Sequence, residues 1–194
     1  MKIYTVVCGE IEENCYIADV GNGLAVAVDP GDGGERIYNI ANEHDLKISA
    51  ILLTHGHFDH IGGLVELYRL TGADVYIHGS DIEMLKYPQL NLSSTMSDKL
   101  ISAEVPVKRI SGGEVLTFGN TSFTVLHTPG HTQGCVCYEA DDAVFTGDTV
   151  FANGYGRTDF PGGSMLLLRN SIRLLKSKIA GKTIYPGHGE TKIF

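Results

Sequence analysis

The stretch Ile51-Leu52-Leu53-Thr54-His55-Gly56-His57-Phe58-Asp59-His60 places an apolar strand directly before a dense group of polar side chains. Four residues of metal-ligand type occupy the six positions that end this stretch. Imidazole and carboxylate groups suit zinc, iron or manganese. His55 and His57 can point toward one centre, whereas Asp59 and His60 lie further round the turn and can point toward a second. The stretch therefore predicts a metal site at the end of a strand.

Three more segments repeat this design of an apolar strand, small residues and a metal-ligand residue. They run from Val125 to His131, from Val144 to Asp148 and from Ile184 to His188. In α/β proteins, active and binding sites usually lie where loops converge at strand ends. Together the four loops offer seven ligands, too many for one tetrahedral ion, so the count fits two ions that share a carboxylate. The other histidines, His44, His78 and His127, are interpreted as ordinary surface or core residues.

Length and charge exclude several classes of protein. The chain has 194 residues, with 15 Lys and Arg against 23 Asp and Glu, a formal charge of −8. A chain of this length buries roughly 70% of its unfolded surface, and residues 1–194 are predicted to form a single domain. The acidic balance argues against nucleic-acid binding and against docking on anionic membranes.

The compartment is predicted from what the chain carries. No apolar run approaches the roughly 18 residues that span a bilayer, and the N-terminus is typical of a strand and an acidic turn rather than a signal peptide. The four cysteines, Cys8, Cys15, Cys135 and Cys137, are expected to be free buried thiols, since none has Cys-x-x-Cys spacing. These features predict a cytoplasmic protein.

Short apolar runs alternate with helical patterns, which indicates an α/β chain whose helices can cover both faces of its sheets. Strands are predicted over Ile3–Cys8, Cys15–Val20, Leu24–Val28, Ile48–Thr54, Asp74–Ile77, Glu114–Phe118, Ser122–Leu126, Cys135–Glu139, Ala143–Thr146 and Thr183–Tyr185. Helices are predicted over Glu35–Leu46, Leu64–Leu70 and Ser80–Lys86, with a long one beginning at Ser164. Residues 89–103 have a weak pattern and are predicted to form a surface loop or lid that contacts substrate.

The seven ligands and their order resemble the metallo-β-lactamase superfamily over nearly the whole chain. The resemblance implies an αββα four-layer sandwich with the metals at one edge between two sheets. It assigns the first metal to His55, His57 and His131, the second to Asp59, His60 and His188, and a bridging role to Asp148. Two divalent ions are implied as cofactors, with zinc expected first and iron or manganese as alternatives.

Within the superfamily the chain looks most like the branch of glyoxalase II, the hydroxyacylglutathione hydrolase. The runs His127-Thr128-Pro129-Gly130-His131-Thr132, Phe145-Thr146-Gly147-Asp148-Thr149 and Gly156-Arg157-Thr158-Asp159-Phe160-Pro161 carry this likeness. Glyoxalase II has an added C-terminal helical domain that supplies much of its glutathione pocket, whereas this chain ends at Phe194, soon after His188. A compact hydrolase without that domain is therefore the expectation, and glutathione recognition stays open.

The mechanism that follows is hydrolysis by activated water. Two cations lower the pKa of a bridging water from about 15.7 to near 7, and the resulting hydroxide attacks the carbonyl of a thioester or related acyl ester such as S-lactoylglutathione. Asp59 is expected to orient that hydroxide. Arg157 and Asp159 are expected to pair and hold the loop of Asp148, and Tyr155 is a candidate substrate contact.

Other functions share these residues and stay open at this point. A persulfide dioxygenase has the same loops but binds one iron, here through His55, His131 and Asp148. A lactonase is a variant in substrate, and a catalytically inactive metal-binding module is the non-enzyme alternative. An RNA-processing nuclease is disfavoured by the charge of −8. The expected partner is a small-molecule substrate, and the oligomeric state is not predicted.

Overall fold

Two six-stranded mixed sheets pack face to face at the centre of the fold. The computed structural model describes residues 1–194. The first sheet has the order β1 to β6, made of Lys2–Cys8, Glu13–Gly21, Leu24–Val28, Lys47–Leu52, Asp74–His78 and Val107–Ile110. The second has the order β12-β11-β10-β9-β8-β7, where β7 to β12 are Val115–Phe118, Thr121–His127, Val136–Ala140, Ala143–Gly147, Thr183–Pro186 and Lys192–Ile193.

Helices cover the outer face of each sheet. They are α1 (Gly34–Glu43), α2 (Phe58–Ile61), α3 (Leu64–Thr71), a 3-10 helix (Ile82–Leu85), α4 (Ser93–Met96) and α5 (Met165–Ile179). Apolar side chains of α1 and α3 share one core cluster with the first sheet, and those of α5 share another with the second sheet. The αββα sandwich predicted for the chain is therefore confirmed.

The inner core lies between the sheets. Tyr16 and Leu52 from the first sheet meet Phe123 and Phe145 from the second, and all four are nearly or fully buried. The parallel strand β3 is buried along almost its whole length because helices lie on one side and the second sheet on the other. Both faces of this strand therefore require apolar residues, which explains its continuous apolar run.

Each predicted strand is present, with ends that move by a few residues. The first helix ends at Glu43 rather than Leu46, because Asp45 takes a positive φ of 56° that stops the helix. The fourth strand ends at Leu52, and the chain then leaves the sheet toward the edge. Strands β6 and β12 were not predicted, since both are short and mostly exposed.

Residues 89–103, predicted to form a surface loop or lid, are more ordered than that prediction implies. They contain α4, and the start of the segment is anchored inside the protein. The Asn91 side chain is fully buried and donates to the carbonyls of Met84 and Ile101 at 2.9 and 3.0 Å. An amide that satisfies two distant carbonyls fixes its segment, which propensity along the chain does not reveal.

The parallel strands decide where the polar loops converge. Strands β3 and β4 run parallel in the first sheet, and β10 and β11 run parallel in the second. Their carboxyl ends meet at one edge of the sandwich, where Asn14 of β2 donates to the Pro186 carbonyl across the sheets. All four cysteines are free and buried, as predicted. None of the helices has the length and apolar character that crossing a bilayer requires.

Candidate metal centre

The seven predicted ligands come together at this edge from both sheets. Two of them follow β4, two lie in α2, and one each follows β8, β10 and β11; in that order they are His55, His57, Asp59, His60, His131, Asp148 and His188. Each is supplied from a strand end or the helix next to it, so the sheets hold the loops in place.

The first group consists of His55, His57 and His131. One ligand atom from each lies within 4.8 Å of the other two, and all three residues are buried. His57 Nδ1 and His131 Nε2 are 2.8 Å apart. Two ring nitrogens at this distance share at most one proton, so at least one lone pair points into the space between them. Three nitrogens around one point form half or more of a metal coordination sphere.

The second group consists of Asp59, His60 and His188. Their ligand atoms also lie within 4.8 Å of one another. Asp59 Oδ2 lies 3.2 Å from His188 Nε2 and 3.5 Å from His60 Nε2. The group is less enclosed than the first, because Asp59 and His188 are only half-buried. A metal held by this group would therefore remain accessible from outside the protein.

Asp148 lies between the two groups. Its Oδ2 is 3.5 Å from His131 Nε2 in the first group, and its Oδ1 is 3.4 Å from His60 Nε2 in the second. Each oxygen thus faces a different group, which is the placement that a bridging carboxylate requires. Asp148 is 8% exposed, so few waters compete for these oxygens.

Hydrogen bonds on the far side of the rings fix which nitrogen each histidine presents. Thr54 Oγ1 donates to Asp29 and so accepts from His55 Nδ1 at 3.1 Å. His131 Nδ1 donates to the Arg157 carbonyl at 2.7 Å. His60 Nδ1 likewise donates to the Asp29 carboxylate, and His188 Nδ1 donates to the Ile11 carbonyl. These four rings therefore direct Nε2 toward the centre, an orientation that carbonyl and carboxylate partners commonly impose on metal ligands.

Several buried polar atoms at the centre lack a hydrogen-bond partner, and they indicate whether a cation fits between the ligand groups. The atoms His55 Nε2, His60 Nε2 and Asp148 Oδ1 are buried and have no hydrogen-bond partner. Such atoms are costly to bury, and most buried polar atoms in proteins have a partner. All three face the space between the ligand groups, where a divalent cation would satisfy them. The nitrogen and oxygen donors suit zinc, iron and manganese, so the residues fit the implied metals.

The protonation of the first group favours metal binding. Burial, with added repulsion from neighbouring rings, lowers the pKa of His55 well below its usual value and that of His57 to about 3. Both rings are thus neutral at pH 7, the form that binds a metal.

The second group is dominated by opposite charges. Burial opposes ionisation, but His60 and His131 hold the pKa of Asp148 well below its usual value. In turn Asp59 and Asp148 raise the pKa of His60 despite its burial. A cation entering this group replaces a proton as the partner of the carboxylates.

Asp29 is a functional residue that the sequence reasoning missed. Its carboxylate accepts from the Thr54 amide at 2.7 Å and from His60 Nδ1 at 3.0 Å. It thereby ties the end of β3 to the ligand loop after β4. A signal was present, because Asp29 follows an apolar strand and precedes Pro and Gly, as the ligand-bearing loops do.

Asp81 is a second residue that was missed, and its sequence context offers no signal. Its side chain is buried and accepts from Thr132 Oγ1 at 2.6 Å and from the amides of Gly134 and Gly56 at 2.8 and 3.3 Å. Gly56 separates His55 from His57, and Thr132 follows His131. Asp81 therefore joins the two loops that build the first group.

The predicted pair of Arg157 and Asp159 is present but exposed. Two hydrogen bonds of 2.7 and 2.6 Å join the side chains, which are 55% and 64% exposed. Arg157 also lies over the Phe160 ring at 4.0 Å. Contact with the centre is made by the backbone instead, through the Arg157 carbonyl at His131 and the Gly156 amide at the Asp148 carbonyl.

A cleft of about 360 Å³ opens over both groups. Its walls include Leu92 and Met96 from the 89–103 segment, and Phe151 and Tyr155 from the segment after β10. Tyr155 is 52% exposed at this rim, where a substrate entering the cleft would pass. Five of the seven candidate ligands thus border one volume that reaches solvent: His57, Asp59, His131, Asp148 and His188.

The comparisons with known proteins agree with this fold and centre. The sequence model described as the metallo-β-lactamase superfamily matches residues 8–188. In Bacillus subtilis the chain is similar to the probable metallo-hydrolase YqgX, with 35% identity over 97% of this chain and 90% of the relative. It is also 32% identical to the probable polyketide biosynthesis zinc-dependent hydrolase PksB of the same organism, over 90% of this chain and 72% of the relative.

Two solved structures are similar over nearly the whole chain. The B3 metallo-β-lactamase BLEG-1 has a TM-score of 0.93 and 33% identity, covering 98% of this chain and 93% of its own. The protein TTHA1623, solved in a di-iron-bound form, has a TM-score of 0.86 and 32% identity, covering 98% and 94%. The fold and the ligand-bearing edge define a metal-dependent hydrolase. The chain belongs to the metallo-β-lactamase superfamily.

Proposed function

We propose that the protein uses two divalent cations to hydrolyse a thioester or a related acyl ester, in the manner of glyoxalase II. The observation that carries this proposal is Asp148, whose two oxygens face two separate groups of three ligands. One metal would need only part of this set. A mononuclear iron dioxygenase, the alternative from the sequence, leaves four of the seven candidates without a role as ligands: His57, Asp59, His60 and His188.

Bound divalent cations supply a nucleophile at neutral pH by lowering the pKa of water, and they polarise a carbonyl oxygen. His55, His57 and His131 would hold the first cation, and Asp59, His60 and His188 the second, with Asp148 joining them. The lining of the cleft contains no serine, threonine or cysteine. Attack by a serine or threonine hydroxyl or by a cysteine thiol is therefore disfavoured, which leaves water as the nucleophile we propose.

The chain's own residues would position water and substrate. Asp59 Oδ2 lies at the border of the second group and the cleft, so it can accept a proton from a water beside it. The ring of Phe160 packs against His57 at 5.8 Å and closes one side of the cleft. Tyr155 lies at the rim of the cleft, where its hydroxyl can contact the part of a thioester that extends away from the reacting carbonyl. The partner is accordingly a small-molecule ester.

For the metal we propose zinc, with iron as the competing occupant. The donors are imidazole nitrogens and carboxylate oxygens only, a set that zinc and iron both accept. The relative PksB is called zinc-dependent, whereas TTHA1623 was solved with two irons. Because such sites take the available metal, the choice is decided by metal analysis of protein purified from its native host.

The test combines metal content with thioester hydrolysis. Purified protein should hold two equivalents of metal and release free thiol from S-lactoylglutathione, and a chelator should abolish both. Asp148→Ala should lower the metal content and the rate together. His44→Ala is the matched control, since His44 stacks on Tyr4 away from the centre. Hydrolysis that survives complete removal of metal would refute the proposal, and oxygen uptake with glutathione persulfide would instead support the dioxygenase.

A further inference from the structure

A second cavity lies beside the metal cleft, between α5 and the segment that follows β10. Its volume is about 350 Å³, and none of the seven ligands lines it. Its walls include Val150, Phe151, Ala152, Tyr155, Ile172 and Ile179. The cavity adjoins the core cluster between α5 and the second sheet, because Val150 and Ile179 belong to both.

The walls of this cavity are suited to hydrocarbon. Eight of its ten lining residues are hydrophobic, and the only charged one is Lys176. A lysine in such a place lends its aliphatic stem to the wall and keeps its ammonium group in water. A cavity of about 150 Å³ lined by apolar side chains is enough to bind benzene, so this one has room for a longer chain.

The cavity and the metal cleft share a wall. Phe151 and Tyr155 line both volumes, and the Phe151 ring lies 6.2 Å from the ring of His188. A molecule whose reacting carbonyl is at the metal centre therefore needs to pass only these two aromatic side chains to reach the cavity. Polar glutathione would gain little there, because almost no hydrogen-bond partner is offered.

We propose that this cavity binds the aliphatic acyl chain of the substrate while the thioester carbonyl lies at the metal centre. The inference rests on the proposed function and narrows it to esters of hydrophobic acyl groups. Burying each added methylene should raise kcat/KM by about two- to fourfold, the range expected for transfer of hydrocarbon from water, until the cavity is full.

The first experiment measures kcat/KM for N-acetylcysteamine thioesters with acetyl, butanoyl, hexanoyl, octanoyl and decanoyl groups. The Ala180→Trp variant places a large ring at an exposed position of the cavity wall. The matched control is Leu174→Trp, an exposed position of α5 outside the cavity. Ala180→Trp should remove the gain for long chains and leave acetyl hydrolysis and metal content unchanged, whereas Leu174→Trp should keep the gain.

A binding measurement separates this inference from the proposed function. Decanoate should bind the unmodified protein and the Leu174→Trp variant, and Ala180→Trp should weaken that binding at least tenfold. If thioesters are not hydrolysed but decanoate binds in this pattern, the cavity is supported as a site for aliphatic chains and the proposed reaction is refuted. If thioesters are hydrolysed at the same kcat/KM for every chain length, or decanoate binding ignores Ala180→Trp, the inference is overturned.

Discussion

Asp81→Ala should loosen the first ligand group without removing a ligand. The carboxylate accepts three hydrogen bonds, from Thr132 Oγ1 and from the amides of Gly134 and Gly56. Each hydrogen bond to a charged acceptor contributes about 1.5–3 kcal/mol to stability. The substitution also removes the cost of burying the Asp81 carboxylate, so the net loss is smaller than the sum of the three bonds. We therefore expect the free energy of unfolding to fall by about 3–4 kcal/mol, near the upper end for a single substitution.

The loss should appear in two measurements. For a chain of this size a change of 1 kcal/mol shifts Tm by about 2–4 °C, so the metal-free variant should melt roughly 6–16 °C lower. The affinity for metal should also fall about tenfold, the low end of what outer partners of ligands contribute, because Gly56 and Thr132 adjoin the ligands of the first group. Calorimetry in chelator gives Tm, and metal titration gives the affinity.

Two controls make the result decisive. Asp81→Asn keeps the shape and one acceptor oxygen, and its amide can still donate to Thr132, so it should lose about 1–2 kcal/mol. Asp142→Ala removes an exposed carboxylate with no side-chain hydrogen bond and should leave Tm and metal affinity unchanged. If the Tm of Asp81→Ala equals that of the Asp142→Ala control, or if Asp81→Ala binds metal as tightly as the unmodified protein, Asp81 does not join the two loops as described.

Three further outcomes test the centre. Asp29→Asn should weaken metal binding about 10- to 100-fold in titration, because it loses the acceptor that orients His60; an unchanged affinity would contradict that role. Chelation should lower Tm by about 11–22 °C, the shift expected when each of two sites loses about 2.7 kcal/mol of metal binding at 100 times Kd, and added zinc should restore it. Arg157→Ala should change Tm less than Asp29→Asn does, since its pair with Asp159 is exposed and the backbone carbonyl at His131 remains.

Much of the fold could be predicted because local patterns and tertiary packing agree. The apolar runs of β3 and β4 need cover on both faces, and the two sheets and their helices provide it. The predictions failed where a distant contact decides the local structure. Asn91 is held by carbonyls seven and ten residues away, and β6 exists because β5 pairs with it.

The sequence by itself predicted the seven candidate ligands, since a cluster of three histidines and one aspartate directly follows an apolar strand and three more strand ends repeat the pattern. The resemblance implied how these candidates divide into two groups, but only the tertiary structure decided the distances between their side chains. Asp148 lies between two groups because strands of different sheets end at the same edge. The hydrogen bonds of Asp29 and Asp81 and the apolar cavity also depend on the fold, because each needs side chains that are far apart in the chain and meet only when the sheets pack.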